Sequence, residues 1–326
     1  MKAINYQAVQ KFPILEAYLN HFSRTSMKNE IPGLLSFFFV QGQTLLPYVR
    51  IPTGDSHLDS RVHVFWIQPS RTGKSIAWDF IGDVMKEINV PFEMFSSGTD
   101  AGLIGSLQPV LDEDNKPTNE METVPGLLAG RKGINFDEGS VLLTPNKHSQ
   151  ETVLYLQTAC NAIGSGGNIL VKHMKGDKVE CESLVSLWIT TYPPKGVKEY
   201  VLTKGIFQRV LLYWAHWDMD MRQEVSNERL STFYKKPNDM DITRGDIVDY
   251  FKDTDKIVRD RLLNLSETTF TEWSEMGREE QENIAQKYMW DMFTAGPNFT
   301  TALYQASDDI FERLKQDMSA AFSPTN

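Results

Sequence analysis

The segment Gln68-Pro69-Ser70-Arg71-Thr72-Gly73-Lys74-Ser75 has the residue types needed to hold a chain of phosphates. It follows the pattern G-x-x-x-x-G-K-[ST] at every fixed position but the first, where Gln68 replaces glycine. Backbone N–H groups in such a turn curl around a phosphate, and the positive end of the following helix points at it. In this layout Lys74 sets a point charge on the β- and γ-phosphates of ATP, and the Ser75 hydroxyl ligates Mg2+.

A second group completes the chemistry. Asp137 and Glu138 end the short apolar run GINF. An Asp there, beside a phosphate turn, holds magnesium through water, and the Glu next to it polarises an attacking water. Hydrolysis needs that pair, whereas transfer to a small acceptor does not. Further on, LVSLWITT ends in two hydroxyls, of which Thr191 is the first choice and Thr190 the second for contacting the γ-phosphate or the water. Arg209, before VLLYW, has the character of an arginine finger, acting within its own chain or across a subunit interface.

Elements must place these groups. The run VHVFWI (62–67) is apolar at all but His63, as in a parallel strand covered on both faces, and His63 itself reads as a satisfied near-core histidine. Residues 75–88 read as the helix after the turn, 91–97 as a strand, 133–138 as a strand and 149–162 as a helix. Residues 168–191 read as strand, turn, strand, and 207–214 as a further core strand. Residues 3–45 have helical spacing, interrupted at Pro32 and Gly33. Residues 52–61 read as a loop, and the acidic stretch 112–122 as a solvated loop insertion. From Met219 onward the pattern is helical and charged. These alternations predict an α/β fold with a mostly parallel sheet flanked by helices and with helical N- and C-terminal segments. The expected division is a helical segment 1–60, a nucleotide-binding core 61–215 and a helical region 216–326.

The chain has 326 residues, 41% of them hydrophobic and 23% charged, which suits a folded protein with a substantial core and not a disordered one. No apolar run is long enough for a transmembrane helix, and MKAINYQAVQKF lacks the apolar stretch of a secretory signal, so a cytoplasmic location, in a host cell if the protein is viral, is expected. Cys160 and Cys181 have no metal spacing and read as reduced thiols. The net charge of -10 argues against a protein that coats DNA non-specifically. Against that background Lys172, His173, Lys175 and Lys178 gather around Gly176, a hairpin suited to the backbone of single-stranded DNA.

Taken in order, LDSRVHVFWIQPSRTGKS, SSGTDAGLIGSL, GINFDEGSVLL, LVSLWITTYPP and GIFQRVLLYW resemble a family of P-loop ATPase domains found in phage, prophage and plasmid replication proteins, often beside a primase. That family is helicase-like and broadly related to RecA and AAA+ ATPases. The resemblance covers about residues 10–215. It implies a P-loop NTPase core that assembles as a homo-oligomeric ring such as a hexamer and works in DNA replication. It maps Lys74 and Ser75 to the phosphate loop, Asp137 and Glu138 to the second motif, and Arg209 to the arginine after the last strand. Gln68 and Arg71 depart from it, since the family commonly has glycine there. Two competing expectations are an AAA+-type protein remodeller or assembly factor that binds no nucleic acid, and a P-loop protein that binds nucleotide as a structural switch and hydrolyses it poorly.

Overall fold

The computed structural model describes residues 9–25, 29–53, 56–70, 72–95, 100–112, 115–143, 150–164, 167–174, 177–194, 206–215, 223, 226–227 and 242–293. The chain divides into two compact units, Met1–Pro47 with Leu58–Ile257, and Tyr48–His57 with Val258–Asn326.

In the first unit a mostly parallel sheet is flanked by helices. Its strands are Val64–Ile67 (β3), Phe92–Phe95 (β4), Gly130–Phe136 (β7), Asp177–Thr191 (β9) and Leu211–Trp214 (β10), preceded in the chain by Arg50–Thr53 (β1) and Ser56–Asp59 (β2), which pair with each other. The order is β10-β3-β9-β7-β4, every pair parallel, and Ile169–Met174 (β8) adds antiparallel to the first half of β9. All five parallel strands therefore present their C-terminal ends at one edge, where ligands bind in open α/β sheets.

Strand β3, between β10 and β9, is buried on both faces, as its unbroken apolar run requires. Val64 and Trp66 face the helices Pro13–Thr25 (α1), Glu30–Leu45 (α2), Lys74–Glu87 (α3) and the start of Arg244–Ser266 (α7). Phe65 and Ile67 face Asp100–Ile104 (α4), Ser140–Leu143 (α5) and Gln150–Ala159 (α6). The N-terminal helices thus share the first core with the sheet. Pro32 does not break the helical stretch. It lies in the first turn of α2, where its missing N–H has no helical partner to lose, and Gly33 lets Phe22 approach.

Three expectations are corrected. Residues 52–61 are not a loop, since β1 and β2 occupy most of them. The acidic stretch 112–122 lies largely in a hairpin of Gly105–Leu111 (β5) and Pro117–Pro125 (β6). Its side chains are mostly exposed, among them Glu120, Met121 and Glu122, so backbone pairing forms the strands with no hydrophobic alternation to reveal them. Residues 207–214 are not a core strand. The strand is only Leu211–Trp214, at the sheet edge, and Leu211, Leu212 and Trp214 are each about half exposed. Cys160 and Cys181 are both free thiols whose pKa values burial raises, to about 12 and about 11.

His63 is buried, and its Nδ1 accepts the Leu187 N–H at 3.2 Å. Burial, joined by the Arg61 charge and opposed by Asp59, lowers its pKa from 6.5 to about 3. The folded pKa lies below the unfolded one, so the unfolded chain takes up a proton that the fold refuses. This contribution to stability is full above the unfolded value of 6.5 and is lost as pH falls toward about 3. The loss approaches about 1.4 kcal/mol per pH unit. His63→Asn keeps an acceptor and removes the titration. Urea unfolding across pH 7 to 4 is expected to show a pH slope about one proton shallower in the variant. Equal slopes would mean that His63 takes up its proton in the fold.

The second unit contains Phe270–Glu275 (α8), Arg278–Lys287 (α9) and Met289–Phe293 (α10). Thr269 starts α8 with a capping box closed by Glu272. Arg50 is fully buried and pairs bidentately with Glu282 of α9. Among the described residues no helix is long and apolar enough to cross a membrane.

Candidate functional site

Strand β3 delivers the chain into the turn 68–73, and α3 leaves from it. The Gln68 N–H donates to the Thr191 carbonyl at 3.0 Å, which ties the start of the turn to the end of β9. Gly73 ends the turn at φ 86°, a left-handed conformation that glycine adopts without the cost of a β-carbon. It is also the N-cap of α3, so the helix opens toward the turn with no side chain covering its first N–H groups. Lys74 reaches back, and its Nζ donates to the carbonyls of Gln68 at 2.7 Å and Pro69 at 2.8 Å. Thr72 Oγ1 donates to the Pro69 carbonyl at 2.7 Å. Arg71 lies outside the described residues.

At the ends of β7 and β9 the acidic pair meets the two hydroxyls. Thr190 Oγ1 lies 3.2 Å from the Asp137 carbonyl and 3.4 Å from Asp137 Oδ1. Thr191 Oγ1 lies 3.4 Å from Glu138 Oε1. The turn that follows is held by the Gly139 N–H on the Thr190 carbonyl at 2.8 Å. A β-carbon on Gly139 would sit 2.5 Å from Ile189 Cγ2, so only glycine lets this turn close against β9.

One cavity of about 520 Å³ joins these pieces. It is lined by Ser70, Thr72, Gly73, Lys74, Ser75 and Ile76 on one side and by Asp137, Glu138, Thr191 and Tyr192 on the other. Burial lowers the Lys74 pKa, and the carboxylates of Asp137 and Glu138 act against that shift. The cavity thus holds one cation, two exposed carboxylates and an open helix N-terminus. Among the described residues no three His, Cys, Asp or Glu side chains cluster as a metal site. The donors present, the Ser75 hydroxyl and the Asp137 carboxylate, are hard oxygens too few to enclose an ion. That set fits Mg2+, which keeps waters and takes further oxygens from a phosphate substrate.

Two expected groups are not brought to this cavity. Strand β10 runs parallel to β3, with Leu211 opposite Val64, so Arg209 lies at the N-terminal ends of the strands while the cavity lies at their C-terminal ends. There its Nε donates to Asn161 Oδ1 at 2.8 Å. A role for Arg209 within its own chain's site is therefore excluded by strand direction. The β8–β9 hairpin does not gather its cations either. His173 pairs with Lys178, whereas Lys172 pairs with Val179 and so points to the other face. Lys178 is ion-paired with Glu180 at 2.6 Å. Lys175 lies outside the described residues.

Sequence reasoning overlooked Asn29 and Tyr192. Tyr192 follows the polar tip of β9 and had no motif to mark it. Asn29 stands just before Glu30-Ile-Pro32, which signals a helix start but not a partner in the turn 68–73. No protein-family model matches the chain, and no curated protein matches it.

Proposed function

We propose that this chain is a P-loop ATPase that acts as a helicase-like motor on DNA in the replication of a virus or mobile element. One observation carries the ATPase reading: Lys74 and Ser75 at the start of α3, Asp137 and Glu138 just after β7, and Thr191 at the end of β9 line a single cavity at the C-terminal edge of a parallel sheet. The turn 68–75 is then the phosphate loop. Its N–H groups and the start of α3 hold the β-phosphate, and Lys74 exchanges its loop carbonyls for the β- and γ-phosphate oxygens. Magnesium, when bound to Ser75 and Asp137, supplies positive charge at those oxygens. Glu138 accepts a hydrogen bond from the attacking water and aligns it with the γ-phosphorus. The Thr191 hydroxyl fixes the direction of the Glu138 carboxylate. Arg209 serves only a neighbouring subunit's site, as a ring allows.

The DNA half of the reading rests on the order of the five resembling blocks. A second reading, an ATP-driven protein remodeller, is favoured by the hairpin, where Lys178 is neutralised by Glu180 and the cations divide between two faces. The deciding experiment measures ATP hydrolysis with and without single-stranded DNA at several salt concentrations, with particle mass determined in parallel. A DNA motor is expected to be stimulated severalfold as a multimer, with the stimulation fading as salt rises. Hydrolysis that DNA leaves unchanged at low salt would reject the motor and leave the remodeller.

A further inference from the structure

Asn29 immediately precedes α2, the position at which asparagine commonly caps a helix with its side chain. Here it makes no cap hydrogen bond. Its Nδ2 donates to the Thr72 carbonyl at 2.8 Å, and its Oδ1 accepts from Gln68 Nε2 at 2.8 Å. Gln68 Nε2 also lies 3.4 Å from the Thr72 carbonyl, and Gln68 Oε1 accepts from Trp66 Nε1. Asn29 is 5% exposed and Gln68 0%. Two buried amides thus close a ring onto one carbonyl of the turn, and the N-cap of α2 is given up for it.

The held carbonyl matters because a trans peptide is planar, with its C=O and N–H pointing in opposite directions. Fixing the Thr72 carbonyl toward Asn29 turns the Gly73 N–H the other way. Gly73 lines the cavity. Gln68, which lacks the freedom of the glycine usual at the first position of the pattern, is held from outside the turn by the same ring.

We infer that Asn29 is a positioning residue for nucleotide binding: through Thr72 and Gln68 it pre-orients the amides of the phosphate turn. This rests on the proposed ATPase reading. Asn29→Asp separates it from an ordinary helix cap. As an N-cap, Asp is as good as Asn. As a clamp, Asp offers no donor to the Thr72 carbonyl and sets a negative charge against it.

The test is hydrogen exchange of the nucleotide-free protein together with ADP titration and steady-state hydrolysis. Asn29→Ala and Asn29→Asp are both expected to speed exchange over 69–75 while β9 stays protected. The ADP dissociation constant is expected to rise about tenfold in Asn29→Ala and further in Asn29→Asp. KM for ATP should rise with it, while kcat at saturation stays near wild type. Gln68→Met, which opens the ring from the other side, should give the same signature if an Asn29 variant fails to fold. Wild-type exchange over 69–75 in Asn29→Asp would overturn the clamp whether or not nucleotide binds. A wild-type protein that binds neither ADP nor ATP, with exchange altered as expected, would overturn the ATPase reading and leave the clamp standing.

Discussion

Lys74→Ala is expected to lose ATP binding, whereas Glu138→Gln keeps binding and loses turnover. The Lys74 ammonium is the only cationic side chain among the described residues lining the cavity, and two loop carbonyls already hold it in place. Charge-assisted hydrogen bonds contribute about 1.5–3 kcal/mol each, so removing the ammonium should weaken ATP affinity roughly 10- to 100-fold. Glu138 stands across the cavity and touches the nucleotide through water alone in the proposed reading. Its amide variant still lines the cavity but cannot take the proton from water, and general-base loss typically costs about 10² to 10⁴ in rate. Nucleotide titration and single-turnover hydrolysis measure the two effects separately. Equal loss of binding in both variants would reject the division of roles. Thr191→Val should fall between, with binding kept and turnover reduced, because Glu138 then loses the hydroxyl 3.4 Å from its Oε1.

The parts of this site that the sequence displays are those whose chemistry and burial are local. Val64–Ile67 is apolar at successive positions because both of its faces are covered, and its polar continuation marks the edge of the sheet. Asp137 and Thr191 show the same contrast at the ends of β7 and β9. What stays hidden depends on partners far along the chain. Nothing near Gln68 shows that Asn29, separated by 39 positions, completes its hydrogen bonds. The end of the sheet at which Arg209 sits follows from the direction in which β10 pairs with β3, which no local pattern encodes. The strands β1, β2, β5 and β6 escape notice for another reason. They pair only as two-stranded ribbons, so neither face needs a continuous apolar stripe. The hairpin cations illustrate the limit of counting charges: alternation along β8 and β9 decides their faces, and Glu180, equally visible in the sequence, neutralises Lys178.

The largest effect on stability is expected in the second unit. Arg50 is fully buried, and its Nε donates to Glu282 Oε1 at 2.7 Å while Nη2 bonds the other carboxylate oxygen. The pair joins positions 232 apart in sequence, so it forms only when β1 and α9 come together. Glu282 is further held by Arg278 Nη2 at 3.1 Å and Gln286 Nε2 at 3.1 Å. Removing one partner of a buried pair leaves the other charge in a site that water cannot reach, which typically costs about 3–5 kcal/mol. Glu282→Ala should therefore unfold this unit at much lower urea, followed by the fluorescence of Trp273. The joint replacement Arg50→Met with Glu282→Leu should cost far less, since no buried charge then remains. A double variant no more stable than Glu282→Ala would show that shape, not charge, sets the effect. The pH dependence gives an independent check. Burial pushes the Glu282 pKa up, but the hydrogen bonds and charge of Arg50 outweigh it, so the carboxyl lies below its ordinary value of 4.5. Its contribution is thus full above the unfolded value and is lost as pH falls through the folded one. Glu282→Gln, which keeps the shape and one acceptor, should be less stable than wild type at neutral pH. The difference should shrink as the solution is acidified below about pH 4.5.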